Sequence, residues 1–121
     1  MKYLIMIHHN KEALETWGAM SEDQRAEGMR AYAAFHEDLV KSGELVANEA
    51  LADPSQGVRV TVQDGRTTTA DGPFAEAKEH LAGIYLVDVK GRERAVELAA
   101  RIPEASLGLV EVRPVNSLDG T

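Results

Sequence analysis

The chain has 121 residues, 44% of them apolar and 27% charged, which is the size and composition of one globular domain and leaves no room for a second independent core. It contains no cysteine, so disulfides, thiolate nucleophiles, iron–sulfur clusters and cysteine-held zinc are excluded together. Against 13 basic residues stand 20 acidic ones, a net charge of −7; that balance repels phosphate backbones and anionic lipid, no basic patch offsets it, and neither nucleic acid nor a membrane is expected as a partner.

Tyr3-Leu4-Ile5-Met6-Ile7 is an unbroken apolar run, too short for a signal-peptide core or a membrane span and suited to a strand in the middle of a sheet. A soluble, cytoplasmic protein is the expectation. Trp17 falls in what reads as a loop, as an anchor. Ser21 followed by Gln24 is a capping-box signature, Glu22 and Asp23 suit the positive end of a helix, and Gly43 supplies the stop. A helix over 22–42 follows, with Met29, Tyr32, His36 and Val40 in a narrow arc and Phe35 and Leu39 beside them. One buried face with a histidine in it is therefore expected.

Residues 44–51 fit a short strand. Val58 to Val62 alternates, Asp64-Gly65 is a two-residue hairpin turn, and Thr67-Thr68-Thr69 returns. Asp71-Gly72-Pro73-Phe74 reads as a loop opened by Asp71, leading into one helical turn at Glu76-Ala77-Lys78-Glu79. Residues 83–89 form a central strand, and 92–102 a helix with Ala95, Val96, Leu98, Ala99 and Ile102 on one face, ended by Pro103. Residues 109–113 alternate once more, and 116–121 read as a frayed tail. Two βαβ halves with a hairpin inserted between them predict a single domain over 1–121, a ferredoxin-like α+β sandwich with an antiparallel sheet and its helices on one face. The other face, rich in aliphatic side chains, is then bare, and a homodimer through the sheet covers it at least cost.

Of the four histidines, His8 and His9 are neighbours on a strand, so they point to opposite faces and cannot share one metal. Solvent-facing strand-end positions are expected for both, and an exposed one for His80. No metal-ligand spacing is present, so no metal is expected. His36, on the apolar face beside Tyr32, is the candidate general acid or base, because imidazole titrates near neutrality. Asp71 or Glu49 is its candidate orienting carboxylate. Glu76 and Lys78 carry charge into the same loop, and Lys78 is placed to stabilise an oxyanion. Glu111 and Arg113 share a strand face as an ion pair.

The stretch Asp71-Gly72-Pro73-Phe74-Ala75-Glu76-Ala77-Lys78-Glu79-His80-Leu81-Ala82-Gly83 resembles the signature of the DGPF family, DGPFAETKEQLGG, with Ala77, His80 and Ala82 standing for threonine, glutamine and glycine. Met1-Lys2-Tyr3, Ser42-Gly43-Glu44-Leu45, Asn48-Glu49-Ala50-Leu51 and Val110-Glu111-Val112-Arg113-Pro114 extend the likeness over nearly the whole chain. The resemblance implies a YCII-related protein: a bacterial ferredoxin-like domain that dimerises sheet to sheet into an α+β barrel, with a cleft in each subunit. Family members are often encoded beside extracytoplasmic-function sigma factors. The wider group carries a histidine on the first helix and an aspartate, usually before proline, after the second. Aligned on Gly43, the histidine position falls on Tyr32, with His36 one turn later, and the aspartate position holds Ile102 before Pro103.

Two functional expectations result. One is a small-molecule enzyme without cofactor, moving a proton in an isomerisation or elimination, with His36 and Asp71 catalytic and Tyr32, Glu49, Phe74, Glu76 and Lys78 lining the substrate cleft. The other is a ligand-binding or accessory dimer associated with a sigma factor, whose cleft binds without turnover.

Overall fold

The computed structural model describes residues 1–74 and 76–116. Chain order is β1 (Lys2–His9), α1 (Lys11–Ala19), α2 (Glu22–Ser42), β2 (Leu45–Ala50), β3 (Val58–Gln63), β4 (Arg66–Asp71), β5 (His80–Asp88), α3 (Arg92–Ala99) and β6 (Val110–Pro114), with 3-10 turns at Pro54–Gln56 and Pro103–Leu107. Alternation along β1 decides the layering. Tyr3, Ile5 and Ile7 point to one side and are buried there with Tyr85 and Val87 of β5, Phe35 and Leu39 of α2, and Ala95, Leu98 and Ala99 of α3. Leu4, Met6 and His8 point to the other side, outside that cluster.

The main sheet has the order β2-β5-β1-β6 with every neighbour antiparallel. This is an α+β fold compatible with the ferredoxin-like arrangement. β1 and β5 occupy the centre because they carry the densest apolar alternation. The capping box at the start of α2 forms as the sequence predicts: Gln24 N–H donates to Ser21 Oγ at 3.1 Å and Ser21 N–H donates to Gln24 Oε1 at 2.9 Å. Gly43 ends the helix at φ 77°, in the left-handed region that a side chain would strain.

Several expectations are corrected. The buried stripe of α2 is Phe35 and Leu39 with Tyr32 half-buried, while Met29 is 59% and Val40 56% exposed and His36 is exposed too. At about 100° per residue, Met29, His36 and Val40 trail that stripe by roughly a quarter turn, so apolar spacing alone picked the flank with the core edge. Trp17 lies on a helix, α1, that the sequence pattern did not announce; it begins where Asn10 Oδ1 accepts from Ala13 N–H at 2.7 Å. α1 buries none of its residues, so it carries little of the periodic signal by which helices are read. Trp17 packs against α2 at Gly28, where a methyl would stand 3.5 Å from the indole. α3 stops at Ala99, short of Pro103, which instead opens the second 3-10 turn.

β3 and β4 pair only with each other. Asp64 and Gly65 both have positive φ, 53° and 75°, as a two-residue hairpin turn requires. Asp71 is the last residue of β4, opposite Val58, so it does not open the loop. The hairpin base is fixed at Gly72, whose N–H donates to the Gly57 carbonyl at 2.8 Å; a methyl there would approach the Pro54 carbonyl oxygen to 2.5 Å. Instead of the helical turn expected over 76–79 there is a single turn in which Ala77 N–H donates to the Phe74 carbonyl at 3.0 Å. Ala75 and most of the expected tail, 117–121, lie outside the described residues.

Candidate functional site

Pro103 fixes the backbone at the start of the second 3-10 turn, directly after the buried Ile102, and this sets Glu104 beneath the sheet-facing side of α2. The Glu104 side chain is only 15% exposed. Its two oxygens are each taken by one donor. Tyr32, three residues ahead of the core residue Phe35 on α2, donates its hydroxyl to Oε1 in a short hydrogen bond. His9, at the end of β1, brings Nε2 to 3.0 Å from Oε2. Three separate elements thus converge on one carboxylate.

The electrostatics settle the phenol protons. Burial, first, and then the bond to Glu104 push the Tyr32 phenol well above its ordinary range, so Tyr32 stays a neutral donor. When Glu104 is the acceptor, the 3.0 Å contact requires a proton on His9 Nε2, and the neutral tautomer of that kind carries a lone pair on Nδ1. That is an imidazole oriented by a carboxylate, the arrangement of a general base. Tyr85 of β5 stands close by: its ring meets Phe35 edge to face at 5.2 Å, and burial, followed by the Glu104 charge, raises its phenol.

His36 takes part in none of the side-chain hydrogen bonds or ion pairs among the described residues, and it is exposed. The imidazole with a carboxylate partner is therefore His9, with Glu104, and its side chain is partly exposed rather than buried. Of the other residues singled out by the sequence, Tyr32 alone belongs to this cluster. Glu49 is exposed and lies opposite Ile84, on the side of the sheet away from the helices, whereas its neighbour Asn48 lies opposite Tyr85 on the helix side. Asp71 and Lys78 are exposed. Phe74 and Glu76 are brought together, but by Arg59: its guanidinium stacks 3.9 Å from the Phe74 ring centroid and pairs with the Glu76 carboxylate, holding that acid below its usual range. The motif segment thus clamps the base of the hairpin.

His8 and His9 do point to opposite faces; His9 is a partly exposed strand-end residue, though held by Glu104, whereas His8 is not solvated. His8 Nε2 is enclosed without a hydrogen-bond partner, 3.7 Å from Glu111 Oε1 on the face away from the helices. Glu111 also pairs with Arg113, as expected. Among the described residues no three histidine or acidic side chains converge as metal ligands, and no helix is long and apolar enough to cross a membrane. The sequence reading overlooked Glu104, although a signal was present: it follows Pro103 at once, two places beyond the position where the resemblance expects an acid.

An antiparallel β2-β5-β1-β6 sheet with its core helices on one face, and a carboxylate held between helix and strand end, define a small α+β domain with a polar cluster at one edge of its core. The model of the YCII-related domain matches residues 1–119, and the chain belongs to that family. It is also similar to an uncharacterized protein of Rhizobium meliloti (strain 1021), 32% identical over 117 residues that cover 95% of this chain and 92% of the relative.

Proposed function

We propose that this protein is an acid–base catalyst acting on a small molecule, with His9 as the proton acceptor, Glu104 as its orienting carboxylate and Tyr32 as the residue that holds Glu104 in place. The observation that carries this reading is the double acceptance at Glu104, which fixes one ring nitrogen of His9 and leaves the other free to take a proton. Proton transfer of this kind needs no cofactor. Of the two positions where the family resemblance expects its dyad, the histidine position holds Tyr32, and the acid is supplied by Glu104, two places beyond Ile102. The protein works as a homodimer in a bacterial cytoplasm, its bare sheet face covered by a second copy.

A second reading, a sigma-factor-associated accessory dimer that binds a ligand without turnover, draws on the departure from the dyad at Tyr32 and Ile102. The nitrogen-15 spectrum of the imidazoles tests the first. A single tautomer with the proton on Nε2 of His9 is expected, redistributing between both nitrogens in Glu104→Ala. A wild-type His9 protonated on Nδ1, or already mixed, overturns the general-base assignment.

A further inference from the structure

We infer that the Tyr85 hydroxyl and the Asn48 carboxamide form the oxygen-binding subsite of this centre, and that the substrate is a small neutral carbonyl compound with an acidic C–H beside the carbonyl. The inference rests on the His9 reading above.

Asn48 and Tyr85 are directly opposite across β2 and β5, which brings their Cα atoms to about 4.5–5.5 Å, and both face the helices. Next along the same face of β5 comes Gly83, opposite Ile7, and then the end of the strand where His80 faces His9. Between Tyr85 and His80, β5 therefore contributes no side chain at Gly83, where a Cβ would stand 3.2 Å from the Glu49 carbonyl oxygen. Neither the Tyr85 hydroxyl nor the Asn48 amide makes a side-chain hydrogen bond among the described residues, although Tyr85 is only 7% exposed. A buried tyrosine normally finds a partner for its hydroxyl. This hydroxyl is not sealed in, since His8 Nε2 is the enclosed and unpartnered side-chain atom among the described residues. The ring is packed while the hydroxyl is not fully enclosed, which suits a donor awaiting a ligand oxygen.

Charge selects the ligand. Glu104 is the one acid that Tyr32 and His9 share, and two arginines of the α3 segment are engaged elsewhere, Arg101 by Asp38 and Arg94 by Glu44. An anionic substrate would be set beside the Glu104 carboxylate, whereas a neutral carbonyl meets two neutral donors. The step balances within those groups. The C–H bond beside the carbonyl breaks and its proton passes to His9 Nδ1. The bonding pair becomes the carbon–carbon double bond, and the carbonyl oxygen takes the charge under the Tyr85 and Asn48 donors. The proton then returns to the same or a vinylogous carbon.

Solvent deuterium exchange at the carbons beside the carbonyl of 2-tetralone and cyclohexanone, followed by proton NMR with the intact protein, tests this. Wild type should exceed buffer by at least about tenfold, and His9→Gln should fall to the buffer rate. Because one oxyanion donor is worth on the order of 100-fold, Tyr85→Phe and Asn48→Ala should each bring exchange back close to the buffer rate, with melting temperatures unchanged. Pyruvate, enolisable but anionic, should not be accelerated. Unaltered exchange in Tyr85→Phe and Asn48→Ala, with His9→Gln still inactive, overturns the subsite and leaves the base standing. Faster exchange of pyruvate than of either ketone overturns the neutral class. No acceleration of either ketone overturns the inference outright, while the imidazole spectrum decides separately whether the His9 assignment survives.

Discussion

Glu104 joins three elements, because each of its oxygens satisfies a donor from a different part of the chain. Removing it leaves the half-buried Tyr32 hydroxyl and one nitrogen of His9 without partners, and an unsatisfied buried group costs about 1–3 kcal/mol. Glu104→Ala should therefore lower the unfolding free energy by about that much in urea titration, whereas Glu104→Gln, which keeps an acceptor, should lose less. His36 gives the contrasting case. It is exposed and bonded to nothing among the described residues, so His36→Ala should change stability by under about 0.5 kcal/mol and leave the ketone exchange rate untouched. A loss of exchange in that variant would return the imidazole of α2 to consideration. The sequence made Tyr32 visible, since helical spacing places it one turn from the core residue Phe35. It left His9 and Glu104 apart because they are 95 residues distant in the chain, and their meeting depends on a 3-10 turn whose direction no local pattern specifies.

At the level of elements, two contacts show how polar chemistry sets geometry here. Arg94 of α3 donates from Nε and Nη2 to both oxygens of Glu44, at 3.0 and 2.8 Å, and ties that helix to the start of β2. The Arg94 bond holds the Glu44 carboxyl below its usual range. A folded-state value lower than the unfolded one stabilises the fold above the ordinary carboxylate range, and the gain vanishes as pH falls through the depressed value. With Arg94 partly exposed, the gain is about 1 kcal/mol or less. Arg94→Ala should lose that amount at neutral pH and nothing in strong acid, which paired urea titrations at the two pH values would show. The hairpin is a second case. Gly72→Ala forces a methyl to 2.5 Å from the Pro54 carbonyl, so the loop at its base must move, at a cost of about 1–3 kcal/mol. Because β3 and β4 pair only with each other, their amides should exchange with deuterium well before those of β1 and β5. The hairpin itself is legible from Asp64-Gly65 between alternating runs. The structural purpose of the DGPF segment is not, because it depends on a close approach to Pro54 and on an arginine from β3.

For the whole molecule, the layering leaves unequal surfaces. One side of the sheet is buried under α2 and α3, while the other presents Leu4, Ile84 and Leu86, each half-buried, around Met6. Glu49, Glu111 and Arg113 rim this apolar strip. Within it lies His8 Nε2, enclosed and unpartnered, an arrangement that native proteins resolve by supplying a hydrogen-bond partner. Val58, Val60 and Val62 form a further apolar row on the hairpin, 54%, 61% and 66% exposed. A partner docking by shape on such a face must bury at least about 1,000 Å² in total to be stable, and a second copy is the occupant that fits by symmetry, since about a two-fold axis each apolar row meets its equivalent. Sedimentation at micromolar concentration should give a dimer. Ile84→Lys, placed on a central strand at the middle of the strip, sets two like charges near the axis and should shift the population to monomer while its circular dichroism stays that of the parent, because the side chain lies outside the helix-facing core. A wild-type monomer under the same conditions would mean that the strip is covered by some other molecule, and a dimer that persists in Ile84→Lys would move the interface to the valine row of the hairpin, where Val60→Lys should then dissociate it.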